Sequence, residues 1–135
     1  MPRVSNEINT QYWEPVAQGP IAQADLSTAG ELALPATIAA SGNYTSPVLP
    51  ADGFKMIAAA VTSTQNGQIS IQRYIDAAGQ VAQGAPLSTA ITGGTPAVVN
   101  AGADNLPFQS FMLKITNTGA STATLSNFAL LLNAS

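Results

Sequence analysis

The sequence predicts an all-β chain: an antiparallel β-sandwich or jelly roll with an extended N-terminal arm. Three observations predict it. Turn-forming clusters recur at intervals of about 8–12 residues, the spacing of sandwiches and jelly rolls. Between them, apolar and polar residues alternate with period two, most clearly over Gln68–Ile75 and around Phe111, Leu113 and Ile115. No strand–helix–strand alternation is present, which argues against a parallel sheet with crossover helices.

Residues 1–20 read as the arm and residues 21–135 as the sandwich domain. The arm holds Arg3, Glu7 and Glu14, the prolines Pro2, Pro15 and Pro20, and the single tryptophan, Trp13. Neither a helical nor a strand period runs through it. Tyr12-Trp13-Glu14-Pro15 sets an aromatic pair beside proline, which makes a good docking anchor. Tyr12, Trp13 and Pro15 are therefore candidate partner contacts, whether the arm lies on a neighbour or tucks onto its own domain.

Ile21–Ser27 and Leu32–Ala40 are the first strands, and Pro35 marks the second as an edge or a bent strand. Ser41-Gly42-Asn43 turns the chain into Tyr44–Val48, and Asp52-Gly53 turns it again. Over Phe54–Ser63, Ala58-Ala59-Ala60 favours helix by propensity. The segment is short and uncapped, however, and runs straight into Val61-Thr62-Ser63-Thr64. It reads as a strand with small residues on one face.

Gln65-Asn66-Gly67 is the clearest hairpin signal, because Asn-Gly supplies the two positive φ angles of a type I′ turn. The strand after it turns Ile69, Ile71 and Ile75 one way and Gln68, Ser70, Gln72 and Tyr74 the other. Arg73 falls on the apolar face, where it ends the buried stretch or pairs with Asp76. Asp76-Ala77-Ala78-Gly79 is the next turn. Leu87–Thr92, Ala97–Asn100, Gln109–Asn117 and Thr122–Asn133 complete the set, with Asn117-Thr118-Gly119-Ala120 as the last hairpin connection. Phe111 belongs to the core. Phe108, after Pro107 at a strand's start, is a fourth candidate contact.

Composition then narrows function. Of 135 residues only four are Lys/Arg and seven Asp/Glu, and Cys and His are absent. No disulfide framework, thiolate zinc site or histidine-based nucleophile can be built from such a chain. A net charge of −3 lacks the clustered cations of a nucleic-acid groove. No apolar run approaches the ~20 residues of a membrane span, and the start lacks a secretory pattern. The seven acids lie mostly beside glycine or in turns, as ordinary turn chemistry. No catalytic residue, metal ligand or cofactor is expected, and the protein is expected not to be an enzyme.

Alanine supplies 24 residues, while Val, Ile, Leu and Phe together supply only 31. A core this thin gains from burial against a partner. The strands from Leu87–Thr92 through Ala97–Asn100 carry no charge, although exposed strands ordinarily keep several for solubility. The charge deficit reads as a surface meant to be covered.

From Ser41 onward the chain resembles a known family. The segments are Ser41-Gly42-Asn43-Tyr44-Thr45-Ser46-Pro47, Gly53-Phe54-Lys55, the run from Val61 to Gln72, Ile75-Asp76-Ala77-Ala78-Gly79, and Leu113-Lys114-Ile115-Thr116-Asn117-Thr118-Gly119. Together they look like the small jelly-roll virion proteins of tailed phages, most of all the capsid cement, or decoration, proteins. Two positions depart from that family's pattern: Gln80-Val81 stands where a Trp is common, and Phe111-Met112-Leu113-Lys114 where an aromatic-Val-Arg run is. The resemblance implies a non-enzymatic dimer or trimer on the outer capsid surface, assembled in the host cytoplasm and clamping neighbouring major capsid protein subunits. It implies no direct contact with nucleic acid or membrane. Other virion parts (tail, neck or spike) and a carbohydrate- or cell-surface-binding sandwich are the alternatives.

Overall fold

The computed structural model describes residues 23–134. The boundary expected near residue 20 and the arm before it lie outside the described residues. Ten strands follow in order: β1 (Gln23–Asp25), β2 (Thr37–Ile38), β3 (Asn43–Thr45), β4 (Leu49–Pro50), β5 (Met56–Ser63), β6 (Gly67–Tyr74), β7 (Leu87–Ile91), β8 (Pro96–Ala101), β9 (Ser110–Asn117) and β10 (Ala123–Asn133). All pair antiparallel, in two sheets packed face to face.

One sheet runs β1-β10-β5-β8, with β2 also on β10; the other runs β3-β9-β6-β7, with β4 also on β9. β1 and β2 lie along one edge of β10, at its two ends. β3 and β4 line β9 in the same way. Each pair is one strand path interrupted midway. Numbered as paths, the sheets read 1-8-3-6 and 2-7-4-5, the strand order of a jelly roll. The fold class expected from the sequence is the one found.

The interruptions have local causes. Leu32–Ala40, expected as a strand, instead opens with a 3-10 turn (Gly30–Leu32) that drives Leu32 into the core, and only Thr37–Ile38 pairs. Pro35 has no N–H to give a ladder. Tyr44–Val48 likewise leaves the ladder after Thr45, with one last backbone bond from the Ser46 N–H to the Leu113 carbonyl at 2.8 Å, because Pro47 cannot donate. Ser46 covers the gap: its Oγ accepts the Leu113 N–H at 2.9 Å.

Both expected hairpins are crossovers between sheets. β5 pairs with β10 and β8, never with β6, so Gln65-Asn66-Gly67 carries the chain from one sheet to the other. Neither Asn66 nor Gly67 takes a positive φ. The glycine is needed for space instead, since an added Cβ would collide with the Thr116 carbonyl oxygen on β9. Asn117-Thr118-Gly119-Ala120 crosses back from β9 to β10 in the same manner.

The core is the layer between the sheets. Ile57, Ala59 and Val61 of β5, Ile69 and Ile71 of β6, Phe111, Leu113 and Ile115 of β9, and Leu130 and Leu132 of β10 fill it. Small residues (Ala59, Ala97, Ala101) alternate with these and let the sheets approach. β10 changes parity along its length: the register slips between Ser126 and Ala129, with Asn127 at φ 52°. That bulge keeps both Ala123 and Leu130 inward and turns Phe128 against the core.

Two buried polar side chains close the ends of the layer. At one end Asn117 is 2% exposed. Its Nδ2 donates to the carbonyls of Ile38, Ala39 and Ser121, and its Oδ1 accepts the Gly119 N–H. At the other end stands Arg73.

Candidate partner-binding surface

Arg73 continues the inward parity of Ile69 and Ile71 and is 4% exposed. A buried guanidinium needs a partner. Sequence proximity favours Asp76, but the structure uses Asp104. Nη1 donates to Oδ1 at 2.9 Å and Nη2 to Oδ2 at 2.6 Å, a bidentate fork. The guanidinium also stands 5.6 Å from the centre of the Phe108 ring, within cation–π range. Asp76 is occupied locally: its carboxylate accepts the Gln80 and Val81 N–H groups, which holds its own turn closed.

These contacts fix the loop of residues 102–109 between β8 and β9. Gly102 opens it at φ 112°, where an added Cβ would collide with the Lys55 carbonyl oxygen. The Leu106 N–H reaches back to Asp104 Oδ1 at 3.3 Å, and the Gln109 N–H donates to the Tyr74 carbonyl at 2.9 Å. Gln83 Nε2 donates to the Pro107 carbonyl oxygen.

The loop therefore presents a firm ridge, Pro107–Phe108, between two hollows. One is about 370 Å³ and is lined by Phe54, Lys55 and Leu106. The other is about 220 Å³ and is lined by Ile75, Gln83 and Gln109. Two apolar side chains beside the ridge stand in the open, Leu106 at 49% and Ile75 at 52% exposure, and Val81, joined to Ile75, is 53% exposed. Ile75 and Val81 are joined by a backbone hydrogen bond of 2.9 Å.

The hydrogen bonds from Arg73 and from the Leu106 N–H hold the Asp104 carboxyl down at about 2, below the usual carboxylate range. The backbone N–H groups of Val81 and Gln80 lower Asp76 in the same direction. A carboxylate with a depressed folded-state pKa stabilises the fold above its ordinary value near 4 and loses that contribution as pH falls through the folded value. Thermal melting from pH 5 down to pH 2 should therefore show an acid limb. Asp104→Asn should flatten it and lower the neutral-pH melting temperature. An unchanged acid limb in that variant would show the fork to be energetically idle.

Of the four contacts named from sequence, Phe108 lies in this ridge, half-buried against the core. Tyr12, Trp13 and Pro15 lie outside the described residues. Three surface residues were missed. Ile75 was expected to face inward, but β6 ends at Tyr74 and the chain turns before Ile75 can enter the core. Val81 and Leu106 sit in loops, where alternation gives no direction. Phe111, expected in the core, is fully buried.

Among the described residues no group of three or more acidic side chains gathers as a metal site, and no helix is long and apolar enough to cross a membrane. No protein-family model matches the chain. No curated protein matches it either. Among solved structures, a crystal structure of PirA is similar at 13% identity and a TM-score of 0.46, over 85% of this chain and 95% of that one. A likeness that slight carries nothing about activity.

Proposed function

We propose that the protein is a structural virion component, a capsid cement protein that binds the outer capsid surface as a homo-oligomer and clamps neighbouring major capsid protein subunits. The observation that carries this reading is the rigid apolar end around Phe108. Leu106, Ile75 and Val81 are held in the open by a buried ion pair and a hydrogen-bonded turn, which is costly to keep unless something covers them. The scarcity of charge points the same way. A symmetric oligomer repeats each modest contact, so avidity exceeds single-site affinity.

Co-sedimentation with expanded, undecorated capsids tests the reading. Binding should persist at about 1 M NaCl, where the Debye length is only about 3 Å and exposed ion pairs are screened. Covering a leucine is worth roughly 1.5–3 kcal/mol, so Leu106→Ser should weaken attachment by about tenfold or more. Release by moderate salt, or attachment only to tails or to glycans, would overturn the cement assignment.

A further inference from the structure

The two outer sheet faces differ sharply. Outward positions of β3, β9 and β6 are mostly polar: Asn43 and Thr45, Lys114 and Thr116, Gln68, Ser70 and Gln72, with Met112 and Tyr74 as the exceptions at one end. The outer face of β1-β10-β5-β8 is apolar over its centre. Ala58 and Ala60 of β5 form its floor, beside Leu131 and Ala129 of β10 and Val98 of β8. Met56 is 37% and Val98 47% exposed there. Among the described residues its one charge is Asp25, on the edge strand. A hollow of about 370 Å³ opens on this face, floored by Met56, Ala58 and Leu131 and reaching Gln23 and Asn100.

Gln23, where the described chain starts, thus lines the hollow, and 22 residues precede it in the sequence. We propose that residues 11–16 of the same chain cover this face in the free protein, with Trp13 seated in the hollow. Three points favour this occupant. The first is reach: residues 14–22 span up to about 33 Å extended, while the face is only about 14 Å across its four strands. The second is area. The apolar centre measures on the order of 300 Å², well short of the ~800 Å² that each partner of a stable dimer buries, but ample for a short peptide and one indole. The third is chemistry. In an extended segment Trp13 and Pro15 fall on one side and Glu14 on the other, so the apolar pair meets the sheet and the carboxylate stays in water. The seat forms whether or not the Phe108 end binds capsids.

Trp13 is the sole tryptophan and reports on its own surroundings. In the full-length protein its emission should be blue-shifted and weakly quenched by acrylamide, at every protein concentration. Ala58→Arg, an outward substitution on the floor of the face, should red-shift the emission and raise quenching severalfold; Thr45→Arg on the opposite sheet should change neither. Methyl resonances of Met56, Ala58 and Leu131 should lose their ring-current shifts in full-length Trp13→Ala. That second readout decides the matter even if Ala58→Arg misfolds. Solvent-like emission in the unmodified protein, or methyl shifts unmoved by Trp13→Ala, would overturn the proposal. Blue-shifted emission lost on dilution would overturn it in favour of a second copy on this face.

Discussion

Phe111→Ala should cost about 3–5 kcal/mol of folding stability, the range for emptying a fully buried aromatic site. The domain as a whole is expected to hold only about 5–15 kcal/mol, so the variant should stand near its unfolding threshold. Among the described residues Phe111 is the largest fully buried side chain, and it pairs across β9 with Leu49 on one side and Arg73 on the other. It spans the layer close to the end where the ion pair sits. Elsewhere the core is lean, with Ala59, Ala97 and Ala101 among its members. Such short side chains cannot swing into the vacated space, so the cavity should persist. Urea denaturation gives the value directly. Lys114→Ala, exposed on the same strand, should stay within about 0.5 kcal/mol. A loss below about 1 kcal/mol for Phe111→Ala would mean that the sheets close over the gap and that the core is more plastic than its packing implies.

Asn117→Asp should be comparably damaging at neutral pH, by about 3–5 kcal/mol, the cost of leaving a buried charge without compensation. The change is nearly isosteric, so shape is not at issue. The amide donates to three carbonyls, of Ile38 and Ala39 at 3.1 Å and of Ser121 at 2.8 Å. A carboxylate in its place would present negative oxygen to all three. Its pKa should be pushed up in the folded state, and the neutral acid could still donate once. A raised folded-state pKa gives stability that is present at low pH and lost as pH rises. The variant should therefore be less destabilised at pH 4 than at pH 7, opposite in sign to the acid limb of Asp104. Melting curves at the two pH values distinguish them. Equal stability of variant and parent at pH 7 would show that this site is wetter than its burial indicates.

Alternation made much of the fold legible. Ile69 and Ile71, Phe111, Leu113 and Ile115, and Leu130 and Leu132 all face inward as the period-two pattern requires, and Ala58-Ala59-Ala60 lies within a strand against its helical propensity. What alternation cannot convey is which strand pairs with which. Asn66-Gly67 is a strong local hairpin signal, yet β5 pairs with β10 and β8, and β6 with β9 and β7, so pairing with other strands overrides the turn. The parity change in β10 was equally invisible, because a single Asn such as Asn127, though it takes a positive φ readily, does not by itself mark a bulge. Arg73 shows the same limit in the candidate site. Its pattern position announced a buried cation, but its partner is 31 residues distant, and nearby Asp76 was the natural choice until its carboxylate proved committed to backbone N–H groups. Phe108, after Pro107 at a strand's start, had no direction that alternation could assign, and the structure places it half-buried in the loop before β9. Ile75, Val81 and Leu106 owe their exposure to loop geometry, which the period of a strand does not encode.

The side-by-side pairing of Gln23 with Asn133 on β1 and β10 has a mechanical consequence. Tension applied between these two residues pulls β1 sideways off β10, along the line of its hydrogen bonds. The load then falls on one backbone bond at a time, as in opening a zip, instead of on the whole ladder in shear. β1 should peel at low force. β10, gripped by β5 over seven paired residues, becomes the next and far stronger point of resistance. A tug on Gln23 and Asn133 would thus be absorbed first by the three residues of β1.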